Sequence, residues 1–368
     1  MPWQRAFAAG ALLLAAAISN DANALAQRTF VASSGADTNT CAITQPCRSF
    51  ASAIALTAAG GEVIVLDSAG YGPVTITQSV SIIAPPGVYA GITAFPGNVG
   101  VIVNAGPSDK IVLRGLSIIG QGGMHGIIVG AAGEVHVENC VVANMTGNGI
   151  FVFLATGNTS IRVQNTSVRS NGGMGLLVSG GVPAVQVVDS QFVLNGYAGT
   201  FPPPGGISVE TGTFSAQRIV VDGNAGNGIA ALADGTTTVA TVEDSLISGN
   251  GHLGAVVNTS PLGGSASLTV VRSTIARNGA SGLSTQATVS GAGVSLVVSD
   301  SAITENGGAG VLATGADSSV LATRSTIARN AGPDLSNSAG IFLSSGNNTL
   351  TGRGAADIQG TITPNPPK

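Results

Sequence analysis

The sequence predicts an all-β fold: a right-handed parallel β-helix solenoid of about ten coils with a short N-terminal capping helix. Three observations lead there. An asparagine returns at positions 171, 195, 224, 250, 278, 306 and 330, in steps of 24 to 29 residues. An apolar residue (Val168, Phe192, Val221, Ile247, Ile275, Ile303, Ile327) stands three positions before each, and a glycine (Gly175, Gly199, Gly228, Gly254, Gly282, Gly310) stands four positions after most of them. Between these marks the chain alternates apolar and polar residues, as in Val135-His136-Val137-Glu138 and Ile161-Arg162-Val163-Gln164, the period of a strand with one buried face. A unit this short, with three short strands, cannot bury its own apolar face; stacked on copies of itself it can. Helices would need longer periodic runs than the Gly/Asn breakers leave. The glycines and asparagines at fixed offsets are expected to supply positive-φ corners between strands.

Taken in order, residues 1–26 read as a secretory signal, with Arg5 as the positive start, an apolar run over 6–18 and small residues at 24–26. The protein is therefore expected in the periplasm or outside the cell, with no transmembrane segment in the mature chain. Residues 27–60 form an N-terminal cap of strand, cysteine loop and helix, the helix falling within 48–59. Cys41 and Cys47, close together in an exported chain, are expected to form a disulfide; Cys140 is left over and reads as a small buried apolar residue. Residues 61–360 are the β-helix, and 361–368 a Pro-rich tail. The longest step, 195 to 224, contains GYAGTFPPPGG (196–206), an insertion expected to loop out and present Tyr197 and Phe201 for binding.

Residues 272–278 read RSTIARN, 324–330 repeat it, and 300–306 between them read DSAITEN. Six positions before the asparagine, successive coils carry Asp189, Arg218, Asp244, Arg272, Asp300 and Arg324. Stacked one coil apart, each charge is expected to face opposite charges above and below. The aspartates themselves lie two coils apart, roughly 9.6 Å, too far for calcium bridging. No metal site and no cofactor are expected, and no Cys/His spacing suggests zinc.

The stretch TFVASSGADTNTCAITQPCRSFASAIALTAAGGEVIVLDSAGYGPVTI (29–76) resembles the N-terminal cap and first coil of secreted right-handed β-helix proteins of the pectate-lyase-like superfamily, and the repeats over 113–352 resemble its generic coils. The resemblance implies the fold; this fold hosts many unrelated functions. Of the polygalacturonase-type motifs in that superfamily, only the fragments Asn165-Thr166-Ser167 and Gly251-His252-Leu253 occur here, without paired aspartates, so no acid/base pair for glycoside hydrolysis is evident.

One patch departs from the Ser/Thr-rich coil surface. The outward positions His136 and Glu138, with Glu134, stack in register on Arg162 and Gln164, then on Gln186. Glu138, His136 and Arg162 are the candidate catalytic residues, and Gln164 and Gln186 candidate ligand contacts. The same column continues as Thr241, Thr269, Val297 and Leu321, so the chemistry is local. Exposed Trp and Tyr are scarce: Trp3 lies within the signal, and Tyr71, Tyr89 and Tyr197 are the only tyrosines. A net charge of −4 argues against a nucleic-acid partner. The reading is a secreted scaffold that binds glycans or other surface polymers; the alternative is a polysaccharide lyase or hydrolase.

Overall fold

A computed structural model describes residues 25–155, 157–197, 204–352 and 357–365. The expected signal segment up to Asn23 and Ala24, Phe201, and the last three residues of the tail lie outside the described residues. The chain winds into a right-handed parallel β-helix of about 11 turns, in agreement with the expected count of about ten. Three sheets line it. Sheet one has 14 strands and runs from Ala26–Val31 to Thr363–Pro364. Sheet two has 12 strands, from Val74–Ile76 to Ile358–Gln359, and sheet three has 12, from Ala69–Gly70 to Thr349–Thr351. The strand Thr363–Pro364 pairs with Leu343 and Ser344, so the start of the Pro-rich tail is built into sheet one.

Period-two alternation sets the layers. In Glu134–Glu138, Val135 and Val137 are fully or almost fully buried while Glu134, His136 and Glu138 face out. Their inward neighbours on the next coil, Ile161 and Val163, pair with them in register. Repeated coil after coil, this makes one continuous column of Val, Ile and Leu, each side chain contributing roughly 1.5–3 kcal/mol on burial. The N-terminal end is closed by a helix, Phe50–Ala55, which buries Phe50, Ala53 and Ile54. Ser49 caps it by accepting the Ser52 N–H at 3.2 Å. The helix is shorter than 48–59 because Thr57–Val65 is taken up by sheet one. The Cys41–Cys47 disulfide forms in the loop before it, with a Cα–Cα distance of 4.7 Å.

The corners differ from the expected ones. The recurrent asparagines and the described glycines four positions later have ordinary φ; one left-handed column is Asp189, Arg218, Asp244, Arg272, Asp300 and Arg324, with φ from 44° to 53°, and a second stands just before the asparagines, at Ser170, Leu194, Gly223, Gly249, Arg277, Glu305 and Arg329. In the first column the equivalent residues of earlier coils are Asn139 and Asn165, also left-handed, a conformation Asn and Asp adopt more readily than Arg. The recurrent glycines are needed for close approach instead. A Cβ on Gly254 would sit 2.5 Å from the Gly282 carbonyl and 2.6 Å from Ile275 Cγ2 on the next coil. In the coil with the insertion, Gly206 takes this place against Val221 and Asn224; Gly199 lies outside the described residues.

Buried hydrogen bonds tie the coils together along the axis. The Nδ2 of Asn250 donates to Asn278 Oδ1 at 2.9 Å and to the Val221 carbonyl at 3.1 Å, while its Oδ1 accepts from the side chain and backbone of Asn224. The same pattern runs from Asn171 to Asn330, every amide at most 1% exposed. The ladder ends at Asp334, which replaces the glycine of its coil and accepts from Asn330 Nδ2 at 3.0 Å and from the Thr351 N–H. A second ladder, of hydroxyls, follows the left-handed corner: Ser245, Ser273, Ser301 and Ser325 each accept the backbone N–H of the coil before. Cys140 occupies this position one coil before Thr166, and is buried.

The alternating charges pair two by two. Arg218 reaches back to Asp189 at 2.6 Å, Arg272 to Asp244 at 2.7 Å and Arg324 to Asp300 at 2.8 Å. No direct contact joins Asp244 to Arg218, so the expected two-sided ladder is a row of separate pairs. These exposed pairs contribute little and are screened by salt.

Candidate functional site

Sheet one carries the patch. The pairing register places Lys110, Glu134 and Ser160 in one outward row, Val112, His136, Arg162 and Gln186 in the next, and Arg114, Glu138 and Gln164 in a third. Every second residue of these strands must face out, and in these coils alone the outward positions are mostly ionisable. Farther along, the middle row becomes Ser215, Thr241, Thr269, Val297 and Leu321.

His136 is the centre of this cluster. Its Nε2 contacts Glu134 Oε1, and its Nδ1 lies 3.3 Å from Glu138 Oε1. Only 18% of the His136 and Glu138 side chains is exposed. The preceding coil adds two cations that the sequence reading passed over. Lys110 Nζ lies 3.1 Å from Glu134, and Arg114 grips Glu138 Oε2 at 2.7 Å. Hydrogen bonds from His136 and then Lys110 hold the Glu134 carboxyl below its ordinary value. Partial burial pushes Glu138 up, but hydrogen bonds from Arg114 and His136 outweigh it and hold that carboxyl low as well. Both carboxylates are therefore ionised at neutral pH, and neither is poised as a general acid.

Arg162 stacks beside His136 in register, yet its guanidinium turns away from the carboxylates. Its Nε donates to Gln164 Oε1 at 3.1 Å and its Nη1 to Gln186 Oε1 at 3.0 Å. Structure and sequence thus agree on the register of Glu138, His136, Arg162, Gln164 and Gln186, while the geometry divides them. His136 and Glu138 join Glu134, Lys110 and Arg114 in one network, and Arg162 joins the two glutamines in another. Three cations, Lys110, Arg114 and Arg162, stand against two carboxylates, giving the patch a positive excess before His136 is counted. Beside it, Gln186, Ser215, Gln217, Thr241 and Glu243 line a shallow groove. Tyr197 is 56% exposed on the insertion, away from either network; Phe201 lies outside the described residues. Among the described residues, no three His, Cys, Asp or Glu side chains are grouped to hold a metal ion, and no helix is long and apolar enough to cross a membrane.

Comparison with known proteins agrees with this architecture. Residues 205–355 match the family described as "Right handed beta helix region". A search of curated protein sequences finds no match. Among solved structures, the A-module of Azotobacter vinelandii mannuronan C-5 epimerase AlgE6 is similar at 18% identity and a TM-score of 0.60, over 84% of this chain and 92% of that one. The A-module of AlgE4 from the same organism is similar at 17% identity and a TM-score of 0.61, over 84% and 91%. The chain has the fold of these modules, a right-handed parallel β-helix.

Proposed function

We propose that the protein is an exported polysaccharide-binding scaffold whose charged face on sheet one holds an anionic chain. The observation that carries this is the clustering of Lys110, Arg114 and Arg162 on three neighbouring coils of sheet one, whose middle outward row continues as Ser215, Thr241, Thr269, Val297 and Leu321. Their charge exceeds that of Glu134 and Glu138, and the face adjoins the shallow groove lined by Gln186, Ser215, Gln217, Thr241 and Glu243. The internal pairing of the ionisable groups supports binding over catalysis: both carboxylates are ionised and partnered, so a proton donor and a separate base are not set apart. The same fold carries modules named for mannuronan, a polysaccharide, in keeping with this ligand class. The Cys41–Cys47 disulfide is in keeping with an oxidising, exported setting.

Affinity electrophoresis in gels containing alginate or polygalacturonate, with and without calcium, tests the proposal. Retardation by the anionic polymers that weakens with salt, and weakens further in Arg162→Ala and Lys110→Ala, is the expected result. Migration unaffected by either polymer would overturn it. A second reading, a lyase or hydrolase working through Glu138, His136 and Arg162, is favoured by one feature, the contact of both His136 ring nitrogens with carboxylates. It requires turnover of those polymers that Glu138→Gln abolishes.

A further inference from the structure

Sheet two carries an aromatic cluster on its outside. In Ile150–Phe153 the even positions, Ile150 and Val152, are fully buried, so Phe151 and Phe153 project outward. Their rings lie 5.5 Å apart, tilted by 36°, and Phe153 is 54% exposed. His125 from the preceding coil adds a third ring, 5.3 Å from Phe151. The Asn148 N–H donates to His125 Nδ1 at 3.0 Å, which fixes the tautomer with hydrogen on Nε2. Burial pushes the pKa of this histidine down, so the ring is neutral at physiological pH. An apolar strip runs through the cluster in register: Ile102, Ile128, Phe151 and Leu177.

The row through Phe153 then turns polar without adding a cation. Ser179 pairs with Phe153 in register, and Glu210 follows on the next coil, where its N–H donates to the Val178 carbonyl. Burial pushes the Glu210 carboxyl up, against a hydrogen bond from Ser179. Beyond Leu232 come Asn258 and Gln286, in register and joined by a 3.3 Å hydrogen bond.

Flat rings, Phe153 exposed and Phe151 half-buried, followed along the solenoid axis by a hydroxyl, a carboxyl and two amides, fit the two surfaces of a sugar chain. The C–H faces of pyranose rings bury against aromatic rings, and their hydroxyls bond to the polar groups. The ~4.8 Å step between strands is close to the length of one pyranose unit, so successive sugars would meet successive coils. An anionic chain has no cation to meet here, and a lipid surface would leave the polar row unpaired. We propose that the outer face of sheet two is a binding platform for a neutral polysaccharide running along the axis, stacked on Phe151 and Phe153 and hydrogen-bonded by His125, Ser179, Glu210, Asn258 and Gln286. This platform is separate from the charged face of sheet one and does not depend on the reading given to it.

Affinity electrophoresis and calorimetry with three neutral polymers, a mixed-linkage β-glucan, a galactomannan and laminarin, test it. The wild type should bind at least one of them. Phe153→Ala and Phe153→Leu should each lower that affinity at least tenfold, and Phe153→Tyr should retain it; the exposed position leaves folding, checked by circular dichroism, unchanged. The double variant His136→Ala, Arg162→Ala should bind the neutral polymer as the wild type does. Failure to bind any of the three, full affinity in Phe153→Leu, or loss of neutral binding in the double variant would each overturn the platform.

Discussion

The buried asparagines and the exposed ion pairs lie in the same coils but have very different structural weight. Asn250 satisfies both its N–H donors and both lone pairs inside the stack. Asn250→Ala strands the Asn224 donors and the Asn278 and Val221 acceptors away from water, at about 1–3 kcal/mol for each group that finds no substitute. Chemical denaturation should register a loss of about 3 kcal/mol or more. Arg272→Asn removes the surface ion pairs to Asp244 and Glu243 but places at a left-handed corner the residue type found at 139 and 165. Its unfolding midpoint should stay close to that of the wild type at low and high salt. Cys140 makes a third case. Burial pushes its thiol up to about 11, so a thiol reagent should label it only after unfolding. Cys140→Ser puts a hydroxyl where Thr166 and Ser245 carry theirs, and its stability should lie within about 1 kcal/mol of the wild type.

At the scale of the elements, the two ends of the solenoid should answer pH differently. Near the N-terminal end, hydrogen bonds from Ser33 and Tyr71 hold Asp67 below its ordinary value, and Ser79 and Gly106 do the same for Asp109. A carboxyl depressed in the folded state contributes stability above its unfolded pKa and loses it as pH falls through the folded one. Asp334 has the opposite sign: burial raises it, so its contribution is full below the unfolded pKa and falls as pH rises through the folded one. Hydrogen exchange should therefore show the first coils opening ahead of the last as pH drops below about 4. The later coils are legible in sequence because an asparagine and a strand alternation mark each of them; in the coil of His136, where Met145 holds the asparagine's place, the alternation of Val135-His136-Val137-Glu138 carries the stacking on Arg162 and Gln186. Lys110 and Arg114 are not legible in this way, since their coil matches the repeat only loosely, with Gln121 at the asparagine's place, and its register rests on strand pairing. Glycine and asparagine hold some left-handed corners, at Asn139, Asn165, Gly223 and Gly249, but Arg218, Arg272 and Arg324 hold others, where the coil geometry imposes a conformation that Arg seldom adopts. Phe151 and Phe153 were passed over by a reading that sought sugar-stacking rings among Trp and Tyr, although their spacing places both on the outer face.

For the whole molecule, the repeated phrase RSTIARN and its charge-reversed partner DSAITEN describe how coils fit one another. Function is assigned instead to the coils that break the pattern. Each coil's stability depends on its neighbours, so the scaffold tolerates change on its outer faces while the buried column stays intact. That separation is what lets one solenoid present a charged face and an aromatic face. The most direct test compares two variants for binding to alginate by affinity electrophoresis at low salt. One, His136→Ala with Arg162→Ala, alters the charged face; the other, Arg272→Asn with Arg324→Asn, alters the repeated phrase. The expected result is at least a tenfold loss of affinity in the first and wild-type affinity in the second. Equal affinity in the first variant and the wild type, or loss confined to the second, would contradict the assignment of coil recognition to the repeat and ligand recognition to the coils that depart from it.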